Sequence, residues 1–382
     1  MRSIPHWQPT HTTPNPHERP RITKWVSGTP PPKFSIDLDR PQTERWDEVL
    51  KWGRDTLRRV LMSPTYTTVR DFPYYFRGNS SILRTFERQR CFSDDQYNEM
   101  KAIANLVEAP FDKLLEFNHF INSLFSCVSG TVPSSETGRL LHFRTLECGI
   151  GLPELLMEAH YTRKGEVVAK AIHHFGHVCF TTGVRKGFSL SLNSNLVYSI
   201  SPGKKNSLSR WLFNDPWTIV TRKLLLGREC PSLPDAVKQM ALRHPPSIFP
   251  VFCDGYTATG IKYDGLLPSA FTVSEEHQSI VVGNHFDLPQ LPPGISVTQF
   301  EEMLFKANKF LATERAESQK RVNAIEQYIL RTFQRPGPTG VTVKELSTWL
   351  TRTPVKNSAT LMACIMDPAE GNILWSAAYQ VS

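Results

Sequence analysis

The chain has 382 residues, 40% apolar and 21% charged, with 44 basic against 36 acidic side chains for a net charge of +8. This is ordinary globular composition, so collagen-like and disordered classes are excluded, and a chain this long buries a full core without metals or disulfides. No apolar run approaches the roughly 18 residues of a membrane-spanning helix, and the scattered basic residues lack the interleaved aromatics of a nucleic-acid-binding surface. Peripheral attraction to anionic lipid fits the mild positive charge better.

Residues 1–32 are rich in Pro, His and Thr and read as a flexible tail. From Phe34, apolar and polar residues alternate to Asp39, which predicts a short strand. Thr43 to Met62 follows helical spacing through Trp46, Val49, Leu50, Leu57, Val60 and Leu61. Ser93 is placed to cap a second helix carrying Met100, Ile103, Ala104 and Val107 on one face. Pro110 interrupts it, and Phe111 to Phe125 predicts a third, mostly buried helix. At Cys127 the texture changes. Strands are predicted at Leu140–Leu146, in a hairpin over Leu155–Phe175 that turns at Lys164-Gly165, and at Phe188–Leu192. Residues 208–243 look helical, with breaks at Pro216 and Pro231. Strands follow near 248–253, 258–263, 270–274 and 279–283. A long helix is predicted from Ser296 to Thr332 and a short one from Val343 to Leu350. Thr360–Met366 and Ile373–Ala378 close the chain as a hairpin around Asp367-Pro-Ala-Glu-Gly. Helices first, then strands interrupted by helices, predict a layered α+β core behind a helical N-terminal segment.

Several common catalytic signatures are absent: GxSxG, the P-loop, GxGxxG after a strand, and HExxH. His173-His174-Phe-Gly-His177 resembles a ligand cluster, but neighbouring strand residues point to opposite faces; ordinary strand-end histidines are the simpler reading. The seven cysteines are scattered without a CxxC pair, and Met1–Pro20 lacks the apolar core of a secretory signal. A reducing compartment with free thiols is therefore expected. The cytoplasm is the expected location; the lysosome or secretion is the alternative if the N-terminus is incomplete. One glycosylation sequon occurs, at Asn79-Ser-Ser.

Cys127 follows an apolar helix and the small residue Ser126, and precedes Val-Ser-Gly at a strand start. Strand alternation puts Arg144 and Leu146 on one face and Thr145 and Glu147 on the other. Spacing by itself favours a buried structural cysteine.

The motifs taken together resemble the family of acid ceramidase and N-acylethanolamine-hydrolysing acid amidase. These are N-terminal-nucleophile amidases of the cholylglycine-hydrolase type. Pro32-Lys-Phe-Ser-Ile-Asp-Leu-Asp-Arg-Pro-Gln-Thr-Glu-Arg-Trp46 is similar to the family's opening strand and the segment after it. Glu99-Met-Lys-Ala-Ile-Ala and Leu115-Glu-Phe-Asn118 lead up to the nucleophile. Cys127-Val-Ser129 stands where the family has Cys-Thr-Ser. His142-Phe-Arg144-Thr-Leu-Glu147 stands at its His-Gly-Arg-Asn-Leu/Met-Asp. Phe175 to Gly183, Phe188-Ser-Leu-Ser-Leu-Asn193, Val281-Val-Gly-Asn284, Thr313-Glu-Arg315 and Leu350 to Ala363 continue the match to about residue 380.

The resemblance implies an αββα sandwich. It implies a helical α chain over 33–126 and a catalytic β chain over 127–382, separated by self-cleavage between Ser126 and Cys127 and kept as a heterodimer. Cys127 is then the nucleophile and its freed α-amine the base. Arg144 lowers the thiol pKa, Glu147 holds the α-ammonium, Asn193 and Asn284 are oxyanion donors, and Arg315 makes a structural or substrate-side charge contact. For Arg144 and Glu147 an ordinary strand salt bridge is the plain alternative, and for each asparagine a strand-ending turn. The implied substrate is a lipid amide, ceramide first and an N-acylethanolamine second. No metal, organic cofactor or nucleic acid is implied. Val128, Thr145, Glu147 and His285 depart from the family's residues. Asn284-His-Phe is also similar to the branch that includes the penicillin acyltransferases. An inactive relative that binds lipid is the reading from another class.

Overall fold

The computed structural model describes residues 27–63, 92–123, 126–147, 152–194, 217–241, 248–264, 267–273, 278–284, 309–336 and 339–380. The N-terminal part runs β1 (Lys33–Asp37), α1 (Asp47–Met62), α2 (Asp94–Leu106) and α3 (Phe111–Ser123). Its local signals are those expected. Ser93 caps α2 in a capping box, its side chain accepting from the Gln96 amide while Gln96 Oε1 accepts from the Ser93 amide at 3.0 Å. The remainder begins with β2 (Ser126–Pro133) and β3 (Leu140–Glu147). A 3₁₀ turn (Pro153–Leu155) then leads to β4 (Leu156–Arg163), β5 (Glu166–His174), β6 (Thr182–Arg185) and β7 (Phe188–Ser194). After α4 (Trp217–Leu226) and α5 (Leu233–Ala241) come β8 (Ile248–Cys253), β9 (Ala258–Asp264), β10 (Leu267–Thr272) and β11 (Ile280–Val282). The chain ends in α6 (Lys309–Phe333), α7 (Val343–Thr351), β12 (Thr360–Asp367) and β13 (Asn372–Ala378). Lys164 and Gly165 take φ of 52° and 80°, the paired positive φ of a type I′ hairpin turn between β4 and β5. Strand β6 was not foreseen, because four residues are too few to show a period. The predicted helical stretches 208–216 and 296–308 lie outside the described residues.

One sheet has eight strands in the order β1-β4-β5-β6-β7-β8-β9-β10, the other five in the order β11-β2-β3-β12-β13. They pack face to face, with β2 lying over β7 and β8. α4 covers β5 to β7 and α5 covers β8 and β9; α6 covers β2 and β11, and α7 covers β12 and β13. The layers are therefore helix, sheet, sheet, helix, and the α+β sandwich expectation holds. Period-two alternation sorts β2 between two cores. Val128 and Val132 join Val322, Ile325, Leu346 and Trp349 under the helices, while Cys127 belongs to the core cluster that contains Leu192 and Cys364.

The N-terminal part is woven into this sandwich. β1 pairs parallel with β4, completing the edge of the larger sheet. Residues 27–32 belong to the segment expected to be a flexible tail, and the structure corrects that boundary. Gly28 N–H donates to the Ala378 carbonyl at 2.7 Å, Ala378 N–H to Thr29 at 2.9 Å, and Glu158 N–H to Pro32 at 2.9 Å. One short segment thus ties both sheets through backbone hydrogen bonds, which Pro and Thr side chains do not prevent.

A second tie is ionic. Arg45 Nη1 lies 2.7 Å from Glu99 Oε1 and 3.0 Å from Asp95 Oδ2. Arg222 Nη2 of α4 reaches the same two carboxylates at 2.5 and 3.4 Å. Trp46 Nε1 donates to Glu99 Oε2 at 3.4 Å. Burial alone would push the Asp95 carboxyl up, but Gln42, Arg222 and Arg45 outweigh it and hold it below the usual range. Because Glu99 and Asp95 share Arg45 and Arg222, removing Arg222 leaves two carboxylates, one of them buried, with one guanidinium between them. Arg222→Met is expected to lower unfolding stability by about 3–5 kcal/mol, read by urea unfolding. A loss within experimental error would show that the network contributes nothing.

Histidines fill the seam between helices and sheet. His173 Nε2 bonds the Tyr161 hydroxyl at 2.9 Å, with Trp46 edge-on to its ring at 6.0 Å; Phe117 lies edge-on to His174 at 6.4 Å. Burial lowers His173 to about 4 and His174 to about 3, and holds His177 well below its ordinary value. Burial first, then the Arg144 charge, lowers His142 to about 3. The unfolded chain therefore takes up protons below about pH 6.5, while the folded chain does not until about pH 4. Stability is full above that upper limit and falls as pH drops toward 4, by about 1.4 kcal/mol per pH unit for each histidine. Urea unfolding between pH 7 and 4.5 measures the slope. His174→Phe should make it shallower by one histidine's share; an unchanged slope would remove His174 from the account.

Candidate active site

The strand pair β2–β3 sets the site. In antiparallel register Cys127 faces Leu146, Ser129 faces Arg144 and Ser126 faces Glu147. Alternation sends Cys127 and Arg144 to the same inter-sheet surface. Arg144 starts two residues along from the cysteine's partner, and its length spans that offset. Its Nη2 stands 3.1 Å from Cys127 Sγ and donates to the Leu192 carbonyl at 2.7 Å. Its Nη1 donates to the Thr181 carbonyl and to Thr182 Oγ1. The guanidinium is 0% exposed and held by the larger sheet, so its position is fixed by donors that burial obliges it to place.

Cys127 is itself 0% exposed. Burial pushes its thiol above the ordinary range; Arg144 opposes this by charge and hydrogen bond, Glu147 adds to it, and Arg321 opposes it. Burial therefore favours the protonated thiol near neutral pH. The Cys127 amide N–H donates to Asn284 Oδ1. Asn284 in turn donates Nδ2 to the Ser194 carbonyl at 2.6 Å, and its own amide donates to Ser318 Oγ at 2.7 Å. Asn193, at the end of β7, accepts from Ser129 Oγ at 3.1 Å and donates Nδ2 to the carbonyls of Val282 at 2.8 Å and Gly283 at 3.4 Å. The close approach of β11 to β2 depends on Gly130, where a Cβ would collide with the Ile280 carbonyl.

Glu147 lies on the opposite face from Arg144, as alternation requires. Its Oε2 stands 3.9 Å from Arg321 Nε, both side chains being 1% exposed, and its Oε1 accepts from Thr360 Oγ1 at 3.5 Å. Arg315 sits half-buried on α6, one turn before Ser318. The structure thus gathers Cys127, Arg144, Glu147, Asn193 and Asn284, and Arg321 of α6 lies beside Glu147. Sequence reasoning missed Arg321 and Ser129. The signal for Arg321 was legible: it adjoins the stripe Ser318, Val322, Ile325, Ile329, whose spacing marks a buried helix face, so a charge beside it needs a partner. Ser129 carried no comparable signal. His142, two residues before Arg144 on the same face, bonds Ser189 Oγ at 2.7 Å and Ser191 Oγ at 2.8 Å across the sheets. Among the described residues no group of three or more His, Cys, Asp or Glu is gathered for a metal ion.

No protein-family model matches the chain. Acid ceramidase of Mus musculus is 28% identical over 221 residues, which cover 51% of this chain and 54% of that protein. Acid ceramidase of Homo sapiens is 25% identical over 193 residues, covering 45% and 47%. The chain spans about half the length of the curated relatives it matches. Among solved structures, a Caenorhabditis elegans N-acylethanolamine-hydrolyzing acid amidase ortholog superposes with a TM-score of 0.49 at 14% identity, covering 66% of this chain and 99% of that one. Over about half of its length, the chain is thus similar in sequence to the acid ceramidases.

Proposed function

We propose that the chain is a lipid amide hydrolase that first cuts itself before Cys127. The observation that carries the reading is the Cys127 thiol, 3.1 Å from a buried guanidinium, on the residue whose own amide is held by Asn284. In the cut, Sγ attacks the Ser126 carbonyl carbon. The C–N bond breaks, the nitrogen leaves as the Cys127 α-amine carrying the thiol proton, and Ser126 is held as a thioester. Water then releases Ser126 as a carboxylate and restores the thiol.

The freed α-amine has a pKa near 8 and sits on the same residue as the thiol, so it takes and returns the proton at short range. Arg144 favours the thiolate. The thiolate attacks the substrate acyl carbon, the α-ammonium protonates the leaving amine, and a thioester holds the acyl group. The α-amine then deprotonates the water that frees the fatty acid. Glu147 acts next to the new terminus: it lies one strand position from Cys127's partner, and its charge already reaches the thiol. Asn284 Oδ1 keeps its hydrogen bond as the Cys127 amide becomes the α-amine, and its Nδ2, now on the Ser194 carbonyl, is the donor that turns to the developing oxyanion. Ceramide is the substrate proposed, with N-acylethanolamines second, because the curated relatives are acid ceramidases. The two parts stay together as a heterodimer, since β1 and the Arg45–Glu99–Arg222 network join them without the Ser126–Cys127 bond.

Intact mass after incubation from pH 4 to 8 tests the cut. Two fragments meeting at Ser126 and Cys127 are expected from the wild type and none from Cys127→Ala. A wild type that stays whole at every pH, yet binds lipid vesicles, would replace this reading with an inactive lipid-binding relative. Arg144→Gln is expected to slow the cut by about 100-fold and to shift alkylation of Cys127 to higher pH, while Arg144→Lys recovers part of the rate. Equal alkylation profiles for wild type and Arg144→Gln would rule out a thiolate-stabilising role.

A further inference from the structure

We infer that Ser129 and Asn193 form a clasp that positions Asn284 over Cys127, and that Asn193 is a positioning residue and not an oxyanion donor. The inference rests on the self-cleavage reading and deepens it. The orientation of Asn193 is forced by its neighbours. One end of its amide meets two carbonyls, Val282 at 2.8 Å and Gly283 at 3.4 Å, and must be the NH₂. The other end meets the Ser129 hydroxyl at 3.1 Å and must be the oxygen. Its NH₂ hydrogens are therefore spent on the backbone just before Asn284.

The path closes on itself. Ser129 lies two residues after the nucleophile on β2. Its hydroxyl holds Asn193 of the opposite sheet. Asn193 holds the carbonyls of residues 282 and 283, and Asn284 follows them and accepts the Cys127 amide. β11 is only three residues long, and Val282 pairs with Ser129 in its ladder, so strand pairing ends where the clasp begins. The ladder alone does not fix residue 284. The Ser194 carbonyl beside Asn193 accepts Asn284 Nδ2 at 2.6 Å, so the residue after the clasp also fixes the rotation of the Asn284 amide. Every member is buried, so water cannot replace a lost bond.

A clasp acts through Asn284, whereas a donor acts on the reacting oxygen. The two differ in a double-mutant cycle. Self-cleavage rates are measured by intact mass for Ser129→Ala, Asn193→Ala, the double variant and each in an Asn284→Ala background, beside melting curves. The clasp predicts that each single change slows the cut about tenfold, that the double is no slower than the slower single, and that neither adds anything once Asn284 is gone. A full Asn193→Ala effect in the Asn284→Ala background, or wild-type cleavage by Ser129→Ala, would overturn it. Hydrogen exchange serves as the arm independent of cleavage. Ser129→Ala and Asn193→Ala should quicken exchange of the Cys127 amide and of residues 282–284 alike, with the rest of β2 unchanged. Unchanged exchange at Cys127 in both overturns the clasp even if the wild type never cuts itself, and that failure to cut counts against the proposed activity alone.

Discussion

A guanidinium buried between two sheets is the constraint from which the rest of the site follows. Arg144 is fully buried, so the protein must supply acceptors for its charge at fixed places. It does so with the backbone of Thr181 and Leu192 and the Thr182 hydroxyl, all from the larger sheet, and with the Cys127 sulfur of its own sheet. That requirement fixes how the two sheets stack. His142 adds to it two residues away, bridging to Ser189 and Ser191. The inter-sheet surface is therefore partly polar at one end and apolar elsewhere. The polar end is where the cysteine sits.

The thiol is held back by the same burial that builds the site. The thiol is pushed up by desolvation and only partly brought down by Arg144. The nitrogen of Cys127 is an amide, engaged with Asn284, and has no basicity to offer. The long N-terminal segment remains necessary to the fold, because it supplies an edge strand, two carboxylates of the ionic network and the aromatic cover of the histidine seam.

The face opposite Arg144 has its own logic. Glu147 and Arg321 meet under α6, away from the thiol's face, and Thr360 fastens the carboxylate to β12. Charges on both sides of the strand thus act on the same sulfur: Arg144 and Arg321 favour its ionised form, and Glu147 opposes it.

Much of this was readable in one dimension. Apolar periodicity located α1, α2, α7 and most strands, because period and capping are local properties: Ser93 and Gln96 are three residues apart, and Lys164-Gly165 needs no distant partner. Alternation alone placed Arg144 and Glu147 on opposite faces. Motif order singled out Cys127, Arg144 and Asn284. What the sequence could not express was which strand lies over which. Residues 129 and 193 are far apart along the chain, and their bond exists only because β2 packs on β7. The meeting of Arg321 with Glu147 exists only because α6 packs on β2. The tie of residues 27–32 to both sheets depended on backbone groups, which every sequence carries alike and only a three-dimensional neighbour can distinguish.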